Sequence, residues 1–236
     1  MEILRNFTYL TEAIPCILCI IFHKRIIAKD MKVFFVYTSL FFAFLLSILY
    51  IRYHLHSRTL DLLFLRFVII IEFLSLSLFY YYNIKARAKK NIGITCAVAF
   101  ILYSYYDYHI SKNDDFSYIP LVIESLFFLI VIPYFFYECM RHNVAKPIYQ
   151  SPSFWISIAF LIYFSGNFFQ FLFSENYTDP QFIALSNTVY DIVTIIKDTL
   201  LSIAVFINNI EEKKTHTHKI PISINLDIFN PIKNKY

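Results

Sequence analysis

Apolar residues in this chain gather in long unbroken runs rather than in short alternating or one-faced patterns. Seven such runs stand out, at about 7–22, 33–51, 60–82, 92–108, 118–137, 153–173 and 181–210. Runs of about 17 to 25 residues are what a helix needs to cross a hydrocarbon core roughly 30 Å thick. Turn and cap chemistry separates them: Asn113-Asp114-Asp115, Pro147, Ser151-Pro152, and the stretch from Asn176 to Pro180. The connections are short, so consecutive helices are expected to be antiparallel neighbours. The expected fold is all-α, a seven-transmembrane helix bundle over residues 1–210. A tail of residues 211–236 follows.

Composition agrees. Of 236 residues, 58% are hydrophobic and 16% charged, and the mean hydropathy is +0.55; a soluble domain carries about 25% charged residues. Two glycines exclude a glycine-rich nucleotide-binding fold. The first run carries Glu12, has no basic region before it and no small-residue cleavage site after it, so it reads as a retained helix rather than a signal peptide. The net charge of +4 does not indicate nucleic acid, because the basic residues are divided among the connections between runs.

That division sets an expected orientation. Lys24, Arg25, Lys29, Lys32, Lys85, Arg87, Lys89, Lys90, Arg141, Lys146, Lys213, Lys214, Lys219, Lys233 and Lys235 fall on one side, against Arg5, Arg52, Arg58 and Lys112 on the other. By the positive-inside rule the N-terminus is outside and the C-terminus cytosolic, a parity that requires an odd number of spans.

Polar residues inside the runs are one-sided. Counted at 1.5 Å per residue, Glu12, Arg66, Glu124, Asn167, Gln170, Asn187 and Asp191 fall in the outer half, and Glu72, Lys197 and Asp198 near the midplane. Ionisable groups in a bilayer face the bundle interior or a watery cavity and mark function by default. In the seventh run Asn187, Asp191, Thr194, Asp198 and Ser202 share a stripe of about 80°, with Lys197 a quarter-turn from Asp198. Asp191, Lys197 and Asp198 each cost about 3 kcal/mol to insert centrally, so this run must meet polar partners on other helices. The expected ligand-binding set is Glu72, Glu124, Asn167, Gln170, Asn187, Asp191, Lys197 and Asp198, with Arg66 as a charge partner. A polar core that only fixes packing is the competing reading.

Other motifs are weaker. Cys16 and Cys19 form a C-x-x-C on an apolar helix, without the helix start and exposure that activate a thiol. The seven histidines lie at run ends, in connections or in the tail, so no intramembrane zinc site is expected. A lysine in a seventh helix suggests a retinal Schiff base. Here, however, Asp191 precedes Lys197 by six residues, on another face, and one Trp and two Gly do not build a chromophore pocket. No nucleophile, base and orienting group assemble, so an enzyme is not expected, nor is any cofactor. In the tail, Ile220, Ile222, Ile224, Leu226 and Ile228 alternate with other residues, a strand-like segment over 219–229 suited to pairing with a partner.

Three stretches belong together: Tyr9-Leu10-Thr11-Glu12, Pro120-Leu121-Val122-Ile123-Glu124, and Pro152-Ser153-Phe154-Trp155-Ile156 continuing to Tyr163-Phe164-Ser165-Gly166-Asn167-Phe168-Phe169. The pattern resembles small uncharacterised seven-span proteins of Bacteroidota, often encoded beside sensor histidine kinases. That resemblance implies the inner membrane and a signalling context. The resulting expectation is a sensor-like membrane module with a periplasm-facing pocket for a small polar or amphipathic ligand, reaching a histidine kinase through its tail. A small-molecule or proton-coupled transporter is the alternative.

Overall fold

The structure is a computed structural model that describes residues 2–85, 87–110, 117–142, 147–173 and 180–217. Within them lie seven α-helices and no strand: α1 (Glu2–Ile21), α2 (Lys29–Tyr50), α3 (Arg58–Asn83), α4 (Arg87–Ile110), α5 (Ile119–His142), α6 (Pro152–Phe173) and α7 (Pro180–Thr217). Each coincides with one of the seven apolar runs, which overshoot their helices by a single residue at Phe22, Ile51 and Tyr118. The helices outlast the runs because a helix satisfies its backbone internally whether or not its ends are apolar. Thus α4 begins in Arg87-Ala88-Lys89-Lys90, and α7 continues past residue 210 to Thr217. The strand-like segment at 219–229 lies outside the described residues, as do Lys112, Asp114, Asp115, Lys146, Glu175 and Asp179.

Five helices, α1, α2, α3, α5 and α6, are long and apolar enough to cross a membrane. Helix α4 dilutes its apolar stretch with Tyr103, Tyr105, Tyr106 and Tyr108, and α7 carries Asp191, Lys197 and Asp198. Large apolar side chains point outward all round the bundle, among them Phe67, Val98, Leu102, Leu126, Ile130, Phe169, Leu185 and Ile192. Water does not tolerate such a continuous apolar surface. Lipid does. This is a multi-pass membrane protein.

Helices α1, α2, α3, α5, α6 and α7 pack in sequence around a closed ring, with α7 between α6 and α1, and α4 lies outside against α3 and α5. Side chains tie one end of the ring. Arg25, after α1, donates to Asn209 of α7, and Asn208 donates to the Arg25 carbonyl at 3.1 Å. Ser153 of α6 donates to Asp30 of α2 at 2.8 Å. Glu138 of α5 accepts the Lys85 backbone N–H, just after α3, at 3.1 and 3.2 Å. Successive helices therefore alternate in direction. Lys24, Arg25, Lys29, Lys32, Lys85 and Lys90 all belong to this end, called the basic end below.

At the opposite end α2 closes with a wider π-turn over Ile51–Leu55 and stops at His56, whose φ of 49° is left-handed. Ser57 then caps α3, its Oγ accepting the Leu60 N–H at 3.5 Å. Arg52 and Asp61 pair at 3.0 Å across the hairpin.

At mid-depth the ring is crossed by aromatic side chains. Tyr37 of α2 meets Phe160 edge-on at 5.7 Å, and Phe160 packs on Phe164 in the same helix at 6.0 Å. Phe164 stacks on Phe128 of α5 at 5.2 Å, Phe128 touches Phe73 of α3 at 5.3 Å, and Phe73 stacks on Phe100 of α4 at 3.9 Å. This file of rings crosses five helices. Phe73, Phe128, Phe160 and Phe164 are at most 1% exposed.

Candidate functional site

The polar part of the interior begins at the depth of the aromatic file, Lys197 lying level with Phe73, and extends through the half away from the basic end. Because α7 is held between α1 and α6, more than one stripe of its surface is buried, which explains how Lys197 and Asp198 both point inward although they lie a quarter-turn apart. Lys197 is 2% exposed and Asp198 3%. Asp198 turns toward α1, where its Oδ2 lies 3.4 Å from the Thr11 hydroxyl, whose single proton is shared between this carboxylate and the Thr8 carbonyl at 2.9 Å. Lys197 turns toward α2 and α6, its Nζ lying 5.0 Å from the Phe41 ring centre and 4.7 Å from that of Tyr163. The two side chains still meet, Lys197 Nζ to Asp198 Oδ1 being 3.5 Å.

Around Lys197 the helices converge. Glu72 of α3 and Glu12 of α1 lie within electrostatic reach of the ammonium along with Asp198. The Tyr37 hydroxyl of α2 donates to Glu72 Oε1 at 3.0 Å. Tyr163 of α6 and Tyr190 of α7 meet edge-on, their ring centres 6.3 Å apart. Glu124 of α5 is fully buried and interacts electrostatically with Glu72. Six helices thus contribute to one polar cluster, in which carboxylates outnumber the single ammonium.

Several groups in this half have no hydrogen-bond partner among the described residues: both carboxylate oxygens of Glu124, both amide atoms of Asn167, Thr194 Oγ1 and Gln170 Oε1. Glu124, Asn167 and Thr194 are 0% exposed. An unpaired buried polar group costs about 1–3 kcal/mol, more when charged, so these atoms are a reservoir of unspent hydrogen-bonding capacity. Chemically the cluster can take up positive charge, as a proton or a cationic group, and donate or accept hydrogen bonds through its amides and hydroxyls. Among the described residues, no three His, Cys, Asp or Glu side chains are placed to share a metal ion.

The residues expected to form the site thus separate into groups. Glu72, Lys197 and Asp198 come together, with Glu124 beside Glu72. Asp191 is buried and acts electrostatically on Glu12. Asn167 is buried on α6; Gln170 and Asn187 are half-buried nearer the end away from the basic one. Arg66 sits elsewhere. Its guanidinium lies over the Tyr108 ring of α4, 5.2 Å from the centre, and it lines a cavity of about 350 Å³ with Asp107 and Ser104. The cation inside the cluster is Lys197, because residue 66 faces the α4 side of α3 whereas Glu72, six positions on, faces the ring interior.

Sequence reasoning passed over Thr11, Tyr37, Tyr163 and Tyr190, and gave Glu12 no role in the site. Tyrosine is so common at helix ends in this chain that its central positions carry no distinguishing signal. Glu12 falls on the same face of α1 as the buried Thr8, one turn earlier, and that spacing is the clue to its inward side. Cys16 and Cys19 are free thiols buried in α1.

The chain matches no known family, no curated protein and no solved structure. Its functional reading therefore rests on the cluster itself.

Proposed function

We propose that this protein is a seven-span sensor-like module of the inner membrane, its N-terminus outside and its C-terminus cytosolic, in which the Lys197 cluster receives a small polar ligand carrying positive charge from the outer face. The observation that carries the reading is the meeting of six helices at one cluster with surplus carboxylate and unpaired buried amides. Occupancy there alters the electrostatics felt by α1, α2, α3, α5, α6 and α7 together, which is what a receptor needs in order to shift its helices. The concentration of lysine and arginine at the basic end supports the orientation.

One-sided polarity favours a sensor over a carrier. Asn167, Gln170, Asn187 and Asp191 lead from the cluster toward the end away from the basic one, whereas Met31, Phe34, Phe79, Ile156 and Leu201 are packed on the other side at 2% exposure or less. A carrier needs a polar route through both halves. A cytosolic partner, a histidine kinase in the context the resemblance implies, would meet the basic end and the tail.

The test is a thermal-shift series on the purified full chain in detergent, with choline, spermidine and sodium chloride at matched ionic strength. A rise in midpoint with one amine, absent in Asp198→Asn and Glu72→Gln, supports the reading. Equal responses in wild type and both variants reduce the cluster to a packing device. Retention of a co-expressed kinase by the full chain, lost on removing residues 219–236, tests the partner.

A further inference from the structure

A cavity of about 540 Å³ lies between α3, α4 and α5 toward the basic end, and none of the residues of the Lys197 cluster lines it. It exists because α4 stands off the ring. Phe100 anchors α4 to Phe73, but Gly93 presents no side chain and nothing lies within 4 Å of where its Cβ would be. Leu78, Val98 and Ile130 line the cavity while being 44%, 53% and 72% exposed, so it opens sideways to the surrounding hydrocarbon. The walls are apolar apart from tyrosines, Lys90 and Ser77, and the Ser77 hydroxyl has no partner among the described residues. Lys90 stands at the mouth with its Nζ 4.7 Å from the Tyr81 ring centre, and it has no carboxylate partner among the described residues. Lys85, Arg87, Lys89 and Lys90 make this connection strongly basic, with no acid between them.

We propose that this cavity is a binding site for an anionic phospholipid of the surrounding bilayer. The shape argues for a lipid chain. From Lys90 to Ile101 the cavity follows about 16 Å of α4, close to half of a hydrocarbon core of roughly 30 Å, the depth one leaflet supplies. The volume falls in the range of about 300–1,000 Å³ typical of small-molecule sites. The charge argues for an anionic headgroup: basic pockets between transmembrane helices collect such lipids, and an unpaired ammonium beside an apolar slot matches a molecule that is a phosphate at one end and hydrocarbon at the other. The bound chain fills the gap that keeps α4 from closing on α5.

Native mass spectrometry of the full chain in a mild detergent tests this with three probes of matched chain length: phosphatidylglycerol, phosphatidylcholine and a free fatty acid. The expected result is retention of phosphatidylglycerol at least tenfold above the other two. Lys90→Gln should erase that preference, and Gly93→Leu should reduce retention of every probe by filling the slot. Ala97→Phe is a second filling variant, and Lys32→Gln is a control basic residue at the same end that should change nothing. Helicity by circular dichroism and the gel-filtration profile verify that each variant folds. Equal retention of phosphatidylglycerol and phosphatidylcholine overturns the proposal, as does retention that survives both filling variants. A preference for the fatty acid overturns the assignment to a bilayer phospholipid.

Discussion

Replacing Lys197 with methionine removes the one ammonium in the cluster while keeping the length and apolar stem of the side chain. Glu12, Glu72 and Asp198 then share a buried site with no counter-charge. At 3.5 Å the Lys197–Asp198 attraction is worth about 5 kcal/mol for an effective dielectric of about 20. Removing one partner of a buried pair costs about 3–5 kcal/mol, mostly because the other charge is stranded. Asp198→Asn is milder: Lys197 keeps Glu72 and Glu12, and an asparagine Oδ1 still faces the ammonium, so the loss is about 1–2 kcal/mol. Thermal unfolding of the purified chain in detergent, followed by its tyrosine and Trp155 fluorescence, should show Lys197→Met lower by about 10 °C and Asp198→Asn by far less. Combining Lys197→Met with Glu72→Gln should restore part of the loss, since one stranded carboxylate goes with the lysine. The reasoning fails if Lys197→Met costs no more than Lys90→Met, or if the double variant is additive.

Three further outcomes follow from packing. A Cβ on Gly166 would lie 2.8 Å from Val193 Cγ2, so Gly166→Ala should destabilise the α6–α7 contact by about 1–3 kcal/mol, and adding Val193→Ala should recover most of it in the same unfolding assay. Phe73→Ala deletes the ring that stacks on Phe100 and touches Phe128, at a cost of about 3–5 kcal/mol; hydrogen exchange should rise first in α4, which has the fewest neighbours. Tyr80→Phe removes the hydroxyl that donates to Ser157 Oγ at 3.1 Å and should cost about 0.5–1.5 kcal/mol, with Ser157→Ala adding little to it.

Much of this architecture is legible in the chain because lipid imposes a simple grammar: an apolar run is a helix, and a turn signal ends it. The run at 153–173 and the helix Pro152–Phe173 differ by one residue, since Ser151-Pro152 is a sharp start. Where charge continues a helix instead of ending it, as in Arg87-Ala88-Lys89-Lys90, hydropathy marks the boundary too late. The stripe on α7 identified the polar side of that helix because helical spacing is a property of the sequence alone. Which residues on other helices meet it is not, for that depends on how far each helix is rotated in the ring. Arg66 and Glu72 illustrate the point: both are ionisable residues of α3, and only the second faces Lys197. The ties at the basic end, through Glu138, Asn208 and Asn209, were hidden for a related reason. Each sits where a run gives way to a connection and reads as an ordinary surface residue.

The file of rings from Tyr37 to Phe100 also constrains how the protein can move. Aromatic side chains fill space with only two torsions each and pack like solids, so five helices are clamped at one level, with little room to slide. Beyond Lys197, from Asn167 to Asn187, there is no such clamp, only contacts that can be exchanged between amides and hydroxyls. Any rearrangement of this bundle therefore pivots about the aromatic level, widening or narrowing one rim while the opposite rim swings the other way.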